Sequence, residues 1–297
     1  MTRLGIDLGG TKTEIIALDE RGSELLRRRE PTPAGDYTAT LALIVRLVRE
    51  TEIEIGKGGS VGLGTPGSFS PVTLTLRNSN SACLNGRALK SDVERLLGRE
   101  IRSGNDANCF ALSEALDGAG RGAPVVCGVI LGTGVGGGIV VNGRVLEGAN
   151  AIAGEWGHNP LPWPRAEELP GPPCYCGKAG CIETFLSGPA LALDHQRAGG
   201  GPLTPEVIAA GADDAALQTI ARYEERLARA LASIINVLDP HVIVLGGGLS
   251  NIERLYANVP KLWAQWIFSD VVRTKLVRNQ HGDSSGVRGA ALLWEVK

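Results

Sequence analysis

One histidine and three cysteines fall close together between Gly154 and Glu183: His158, then, after fifteen intervening residues, Cys174, followed by Cys176 and Cys181. One imidazole and three thiolates are the ligand set of a closed tetrahedral zinc site. The glycines of Cys174-x-Cys176-Gly177-x-x-Gly180-Cys181 let a short chain fold back until its sulfurs converge. The other reading is three buried or disulfide-bonded cysteines beside an unrelated histidine, although pairing two of them strands the third. Two carboxylates bracket the cluster, Glu155 three residues before the histidine and Glu183 two after the last cysteine. A metal-bound imidazole keeps one N–H to donate, and two acids beside such a donor suit a polyhydroxyl ligand. Spacing does not separate this arrangement from two surface glutamates.

Two glycine turns form a second group of candidates. Leu4–Leu8 reads as a strand, Gly9-Gly10-Thr11-Lys12 as a turn and Glu14–Leu18 as a strand. Backbone N–H groups at such a tip can approach a phosphate, which makes Gly9, Gly10, Thr11 and Lys12 nucleotide candidates. Asp7, at the strand end, could hold magnesium through water; a plain hairpin is the alternative. No Walker A sequence occurs, which excludes a P-loop enzyme. The buried strand Val125–Leu131 runs into Gly132-Thr133-Gly134-Val135-Gly136-Gly137-Gly138, formally GxGxxG. A dinucleotide site needs a helix next, whereas Ile139–Val145 reads as strand and turn. Gly132, Thr133, Gly134 and Gly136 are therefore candidates in a second phosphate turn that echoes the first. After the strand His241–Leu245, Gly246–Ser250 is expected to open a helix, with Gly247 and Gly248 as a shelf for adenine or ribose, or as packing glycines.

The remaining candidates are polar positions at element ends. Asn105 and Asp106 stand at the predicted start of a helix, where the dipole favours a carboxylate, though Asp is also a common cap. Gly67, in the turn Thr65–Ser68, and Asn80, in the loop Asn78–Asn80, are candidate sugar contacts; turns favour such residues for local reasons too. Apolar spacing predicts a helix from Asp36 to about Thr51 and a long one over Ala215–Leu238, with Leu217, Ile220, Leu227, Leu231, Ile234, Ile235 and Leu238 as its stripe. Gly282–Gly289 reads as a loop and Ala290–Trp294 as a short helix. His195, His241 and His281 have no ligand spacing.

Composition narrows the classes. The chain has 297 residues, 43% hydrophobic and 21% charged, with a net charge of −2. It has no basic footprint for nucleic acid and no apolar run long enough for a membrane span. MTRLGIDLGG lacks the apolar core of a signal peptide. Cys83, Cys109 and Cys127 are scattered, a pattern of reduced thiols and a cytoplasmic address.

Asp7–Lys12, Asn105-Asp106, Gly132–Gly138, Gly154-Glu155-Trp156-Gly157-His158 and the Cys174–Glu183 segment, in this order along the chain, resemble the ROK family of bacterial sugar kinases and repressors. The resemblance implies an α/β, actin-like (ribonuclease-H-like) ATPase fold of two lobes with an interlobe cleft. The lobes are expected over residues 1–117 and 118–286, the second carrying the zinc segment 154–183, with a helix at about 287–297 returning to the first. It implies Asp106 as catalytic base, with Asn105, Glu155, His158 and Glu183 as sugar contacts. It also implies His158, Cys174, Cys176 and Cys181 as ligands of structural Zn2+, ATP with Mg2+ as cofactors, and a homodimer. Gly154–Trp163 and His281–Ala290 look most similar to the family's fructokinases, so the expected reaction is phosphorylation of the 6-hydroxyl of D-fructose. Glucose, mannose and N-acetylhexosamines are the alternatives, with a non-catalytic sugar-sensing regulator further off. The hairpin begins at residue 5, which leaves no room ahead of it for the repressors' helix-turn-helix arm. Where many relatives have a tryptophan after the Asn78–Asn80 loop, this chain has Cys83, so any contact of that ring is in doubt.

Overall fold

Strand β1 (Arg3–Leu8) is buried at all but one position, because it is covered on both faces and flanked on both edges. Antiparallel β2 (Lys12–Leu18) lies on one side of it and parallel β4 (Ser60–Thr65) on the other. β3 (Glu24–Pro31) completes that edge; most of it is exposed, and Arg27, Arg28 and Arg29 guard it with charge. α1 (Tyr37–Ile55) starts where Asp36 accepts a bond from the Ala39 N–H at 3.0 Å. It continues past the expected end at Thr51 to a left-handed Gly56. β5 (Ser68–Phe69) and β6 (Leu76–Arg77) form a small ladder. α2 (Leu89–Leu97), β7 (Arg102–Asn105) and α3 (Asp106–Leu116) follow. The sheet order is β3-β2-β1-β4-β7. Asp7 stands opposite Gly64, Gly64 opposite Gly104, and Thr65 opposite Asn105. The carboxyl ends of three parallel strands therefore align, and that is where open α/β sheets bind ligands.

The second sheet has the order β10-β9-β8-β11-β12, built from β8 (Val125–Leu131), β9 (Val135–Val141), β10 (Arg144–Val145), β11 (Val242–Gly246) and β12 (Lys275–Arg278). β9 begins at Val135, so Gly136, Gly137 and Gly138 belong to a strand rather than to the expected turn, and no helix follows the glycines. Helices α4 (Glu183–Leu186), α5 (Gly188–Arg197) and α6 (Pro205–Ala209) precede α7 (Asp214–Leu238). Asp213 caps α7, which stops at a left-handed Asp239. Leu217, expected in its apolar stripe, is exposed. α8 (Arg254–Trp263) starts later than expected, since Gly248–Asn251 forms a 3-10 turn first.

This computed structural model describes residues 1–211 and 213–294. The chain divides into two units: Met1–Gly122 with Gly138–Ala153 and Asp283–Lys297, and Ala123–Gly137 with Gly154–Gly282. Gly138–Ala153, which the sequence reading gave to the second lobe, clusters with the first unit. So does the C-terminal helix, Ser285–Leu292, which starts inside the stretch expected to be a loop. Its glycines read as loop residues but serve close packing: a Cβ on Gly289 would fall 1.7 Å from the Cys109 carbonyl oxygen. Positions 295–297 of the expected 287–297 helix lie outside the described residues. Each unit has its own core, Leu4, Ile6, Ile44, Leu47 and Leu63 in the first and Val129, Leu131, Tyr223, Leu227 and Ile243 in the second. No helix among the described residues is long and apolar enough to cross a membrane.

Candidate active site

In the first unit the site is built on strand ends. Asp7 closes β1, with Gly64 and Gly286 beside its carboxylate. Burial first, then the neighbouring carboxylates of Asp106 and Glu14, push Asp7 up to about 7, against the pull of Lys12 and Arg29. A buried carboxylate raised in this way favours a nearby cation, so Asp7 suits a magnesium held through its water shell. Asn105 caps α3: its Oδ1 accepts from the Ala107 and Asn108 N–H groups, and its Nδ2 donates to the Gly67 carbonyl at 3.1 Å. Asp106 is the first residue of the helix, and its Oδ1 accepts from the Ala107 N–H at 2.8 Å. Gly67 sits at φ +83° with no room for a side chain, since a Cβ would lie 2.3 Å from the Arg77 carbonyl oxygen. That contact seats the Asn78–Asn80 loop, on which Asn80 is exposed. Gly10, Thr11 and Lys12 form an exposed tip, and Gly9 takes a backbone bond to Lys12. Cys83 packs against the first core.

In the second unit the site is built on an insertion. Ligand atoms of His158, Cys174, Cys176 and Cys181 lie within 4.8 Å of one another. Cys174 Sγ is 3.6 Å from His158 Nδ1, and Cys176 Sγ is 3.6 Å from Cys181 Sγ. Tetrahedral zinc requires about 3.6 Å between sulfur and nitrogen and about 3.8 Å between sulfurs. All six cysteines are free. Burial pushes the Cys181 thiol up to about 12 and raises that of Cys174, while the Lys178 backbone N–H lowers that of Cys176. A cation is what makes three thiolates favourable in one place, so the residues fit a metal.

Glu183 begins α4, and its Oε2 accepts from the Val135 N–H at 2.9 Å. A Cβ on Gly134 would fall 2.6 Å from that oxygen, so the turn Gly132–Gly134 and this carboxylate need each other's shape. Thr133 is exposed in that turn. Gly136 lies beyond it, its carbonyl accepting from Trp156 Nε1 at 2.9 Å. Glu155 is exposed. Gly247, at φ +79°, packs on the Leu131 carbonyl, and Gly248 lies exposed beside it.

His158 departs from expectation in one respect. Nδ1 faces the thiols, while Nε2 lies 2.9 Å from Tyr175 Oη. The ring nitrogen expected to be free for a sugar is therefore engaged by a tyrosine that sequence reasoning passed over. Its position between two ligand cysteines was the available signal. Glu168 was missed too. Its buried carboxylate takes Arg226 Nε at 2.7 Å and Arg229 Nη2 at 2.8 Å, and Arg229 also holds the Pro162 and Trp163 carbonyls. These arginines tie the segment leading to Cys174 onto α7.

The chain matches the ROK family over residues 3–297. It is 39% identical over 296 residues to the N-acetyl-D-glucosamine kinase of Pectobacterium atrosepticum, with 97% of each chain covered. The ROK hexokinase of Thermus thermophilus superposes with a TM-score of 0.87 at 31% identity, covering 98% of this chain and 97% of that one. A ROK glucokinase from Streptomyces griseus, solved with glucose and AMPPNP, gives 0.80 at 27% identity, with 99% of each covered. These relatives overturn the fructose expectation. The two runs that suggested it serve packing: Trp156 and Leu161 are buried, and Gly286 and Gly289 lie against Asp7 and Cys109. Residues that fill a core do not report which hexose is bound. The actin-like fold and the full-length match agree: the chain belongs to the ROK family, as a phosphotransferase with an alcohol acceptor.

Proposed function

We propose that the protein transfers the terminal phosphoryl group of MgATP to the 6-hydroxyl of N-acetyl-D-glucosamine. The observation that carries this reading is the 39% identity to a kinase of that sugar across 97% of both chains. The nucleotide is inferred from the AMPPNP complex of the Streptomyces griseus relative.

Asp106 accepts the hydroxyl proton. A carboxylate is a weak base for a ground-state alcohol, but in a loose phosphoryl-transfer transition state the proton moves late and orientation counts most. Asn105 fixes that orientation through its cap bonds and its hold on Gly67. Asn105, Gly67, Asn80, Glu155 and Glu183 are assigned to the sugar, and His158, whose outer ring nitrogen meets Tyr175, to the hairpin that carries the two glutamates. The backbone N–H groups of Gly9–Lys12 and Gly132–Gly134 are assigned to phosphates, and Gly247 and Gly248 to the nucleoside. Asp7 would hold magnesium through water, and the ion would balance phosphate charge. His158, Cys174, Cys176 and Cys181 would hold zinc and so fix the hairpin between Glu155 and Glu183.

A coupled assay with ATP against N-acetylglucosamine, glucose and mannose tests the assignment. kcat/KM is expected to be highest for N-acetylglucosamine. A higher value for a hexose without the acetamido group overturns it.

A further inference from the structure

The loop that carries Asn80 is pinned on both sides of that residue. Asn78 turns the chain at φ +57°, a left-handed conformation that Asn adopts more readily than most residues. Ser79 is then buried, its backbone nitrogen 2.9 Å from where a Cβ on Gly67 would stand. Gly67 in turn gives its carbonyl to Asn105 Nδ2. On the other side, Ser81 Oγ lies 3.3 Å from where a Cβ on Gly10 would stand, so the loop rests on the first glycine turn. Asn80, exposed, is the single residue between these two seated serines.

What holds Ser79 is the side chain of Asn85. The Ser79 N–H donates to Asn85 Oδ1 at 2.9 Å, and Asn85 Nδ2 donates to the Ser79 carbonyl at 2.9 Å. Facing residues of an antiparallel pair exchange bonds in this two-way fashion; here one amide takes the place of a strand. A primary amide offers the acceptor and the donor side by side, whereas a carboxylate accepts and cannot donate. Asn85 can reach back because its own backbone is fixed. Leu84, just before it, fills the first core, and the Asn85 N–H donates to the Ala82 carbonyl at 3.2 Å. The Ser81 N–H closes the loop onto Ser79 Oγ at 3.1 Å. Asn85 is itself exposed, so it fills no core. Its two bonds set the shape of the loop they span.

We propose that Asn85 is a positioning residue for the acceptor sugar, holding the Ser79 backbone so that Asn80 meets the ligand from a fixed place. This rests on Asn80 as a sugar contact and extends that reading to the residue acting through it. Asn105 and Asn85 then bracket the loop. One fixes Gly67 beneath it and stands next to the proton acceptor; the other fixes Ser79 from its far end.

Asn85→Ala removes both bonds and touches no ligand contact. KM is measured for the sugar that the coupled assay finds best, N-acetylglucosamine on the reading above. It should rise about 3- to 10-fold, the worth of one neutral hydrogen bond, and by more than kcat falls, while KM for ATP keeps its wild-type value. The decisive measurement is the double variant. With Asn80→Ala already in place, Asn85→Ala should raise KM for the sugar no further, because nothing is left for it to position. A second rise of the same size in that background, an equal rise in KM for ATP, or a wild-type KM for the sugar in Asn85→Ala overturns the role of Asn85 and leaves the substrate reading intact. A wild-type KM in Asn80→Ala alone removes Asn80 from the sugar, and the role of Asn85 falls with it. If the Ala variant does not fold, Asn85→Asp, which cannot donate to the Ser79 carbonyl, should show the same selective rise and the same loss of effect beside Asn80→Ala.

Discussion

The two sheets share one plan, a pair of flanking strands, a central strand and two parallel strands, in the orders β3-β2-β1-β4-β7 and β10-β9-β8-β11-β12. At the row where Asp7 faces Gly64 in the first, the second pairs Ile130 with Gly246. On the proposed assignment the first sheet carries its chemistry on its own strand ends, in Asp7 of β1 and in Asn105 and Asp106 where β7 passes into α3. The second has an apolar residue in the corresponding place and takes its acids from the insertion between Gly154 and Glu183. A strand end is held by its ladder and needs no further support. An insertion of mostly irregular backbone needs a clamp, and this one has two: the histidine–cysteine cluster and the Glu168–Arg229 network. The same scaffold thus solves positioning in two ways, and each can be attacked separately.

The hardest test of the ladder-held site is Asp106→Asn. The base is removed while the Asn105 cap stays, so kcat should fall by about 10²–10⁴-fold with KM for the sugar little changed. Residual activity near that of the wild type would take Asp106 out of the proton-transfer step. The clamped site should respond in the opposite sense. Cys181→Ser, or zinc removal by a chelator, should lower the melting temperature and raise KM for the sugar more than it lowers kcat. Structural sites of this kind bind zinc by roughly 10–16 kcal/mol, part of which is folding energy. A metal-free protein of unaltered KM would break the contrast between the two units.

What the sequence revealed follows the same division. The cluster was legible because few chemistries call for one imidazole and three thiolates at that spacing, and the central strands because β8 is a nearly unbroken apolar run and β1 alternates Leu4, Ile6 and Leu8. Asp36 and Asn105 announced their helices through cap chemistry. β3 was hidden because an edge strand bearing three arginines has the composition of a loop. The start of the C-terminal helix was hidden for a different reason: Gly286 and Gly289 disfavour helix locally, and only the approach of Asp7 and the Cys109 carbonyl shows why they are there. The identity of the sugar was misread because conspicuous residues such as Trp156 fill space. Tyr175 was overlooked because, although it stands between two cysteines, its bond to His158 depends on which ring nitrogen faces the thiols, and only geometry shows that.

A smaller effect sharpens the clamp argument. Glu168→Gln keeps shape but leaves Arg229, fully buried, without its carboxylate partner on that side. Breaking a buried pair from one end costs about 3 kcal/mol or more, readable as a lower urea midpoint. The pH dependence has a definite sign. Burial works to raise Glu168, but the bonds from Arg229, the Arg165 backbone and Arg226 outweigh it and hold the group at about 2. Its contribution is therefore present above the ordinary glutamate range and is lost as pH falls towards 2. The variant should show less of this acid sensitivity.

Asp7 has the opposite sign, and that separates a site kept for chemistry from one kept for stability. Its folded value, about 7, lies above the ordinary 3.8, so the folded protein holds a proton that the unfolded chain releases. The associated stability is complete below the unfolded value and is lost as pH rises through 7. Asn, which never ionises, escapes that loss. In the absence of nucleotide and magnesium, Asp7→Asn should be at least as stable as the wild type at pH 8, and its advantage should narrow towards pH 5. Urea midpoints at the two pH values measure it, and an advantage that does not change between them would mean that neither burial nor the charges of Asp106 and Glu14 raise Asp7. A variant that is more stable yet inactive is the expected pairing, because a carboxylate that is buried and set beside Asp106 and Glu14 destabilises the empty protein when it ionises.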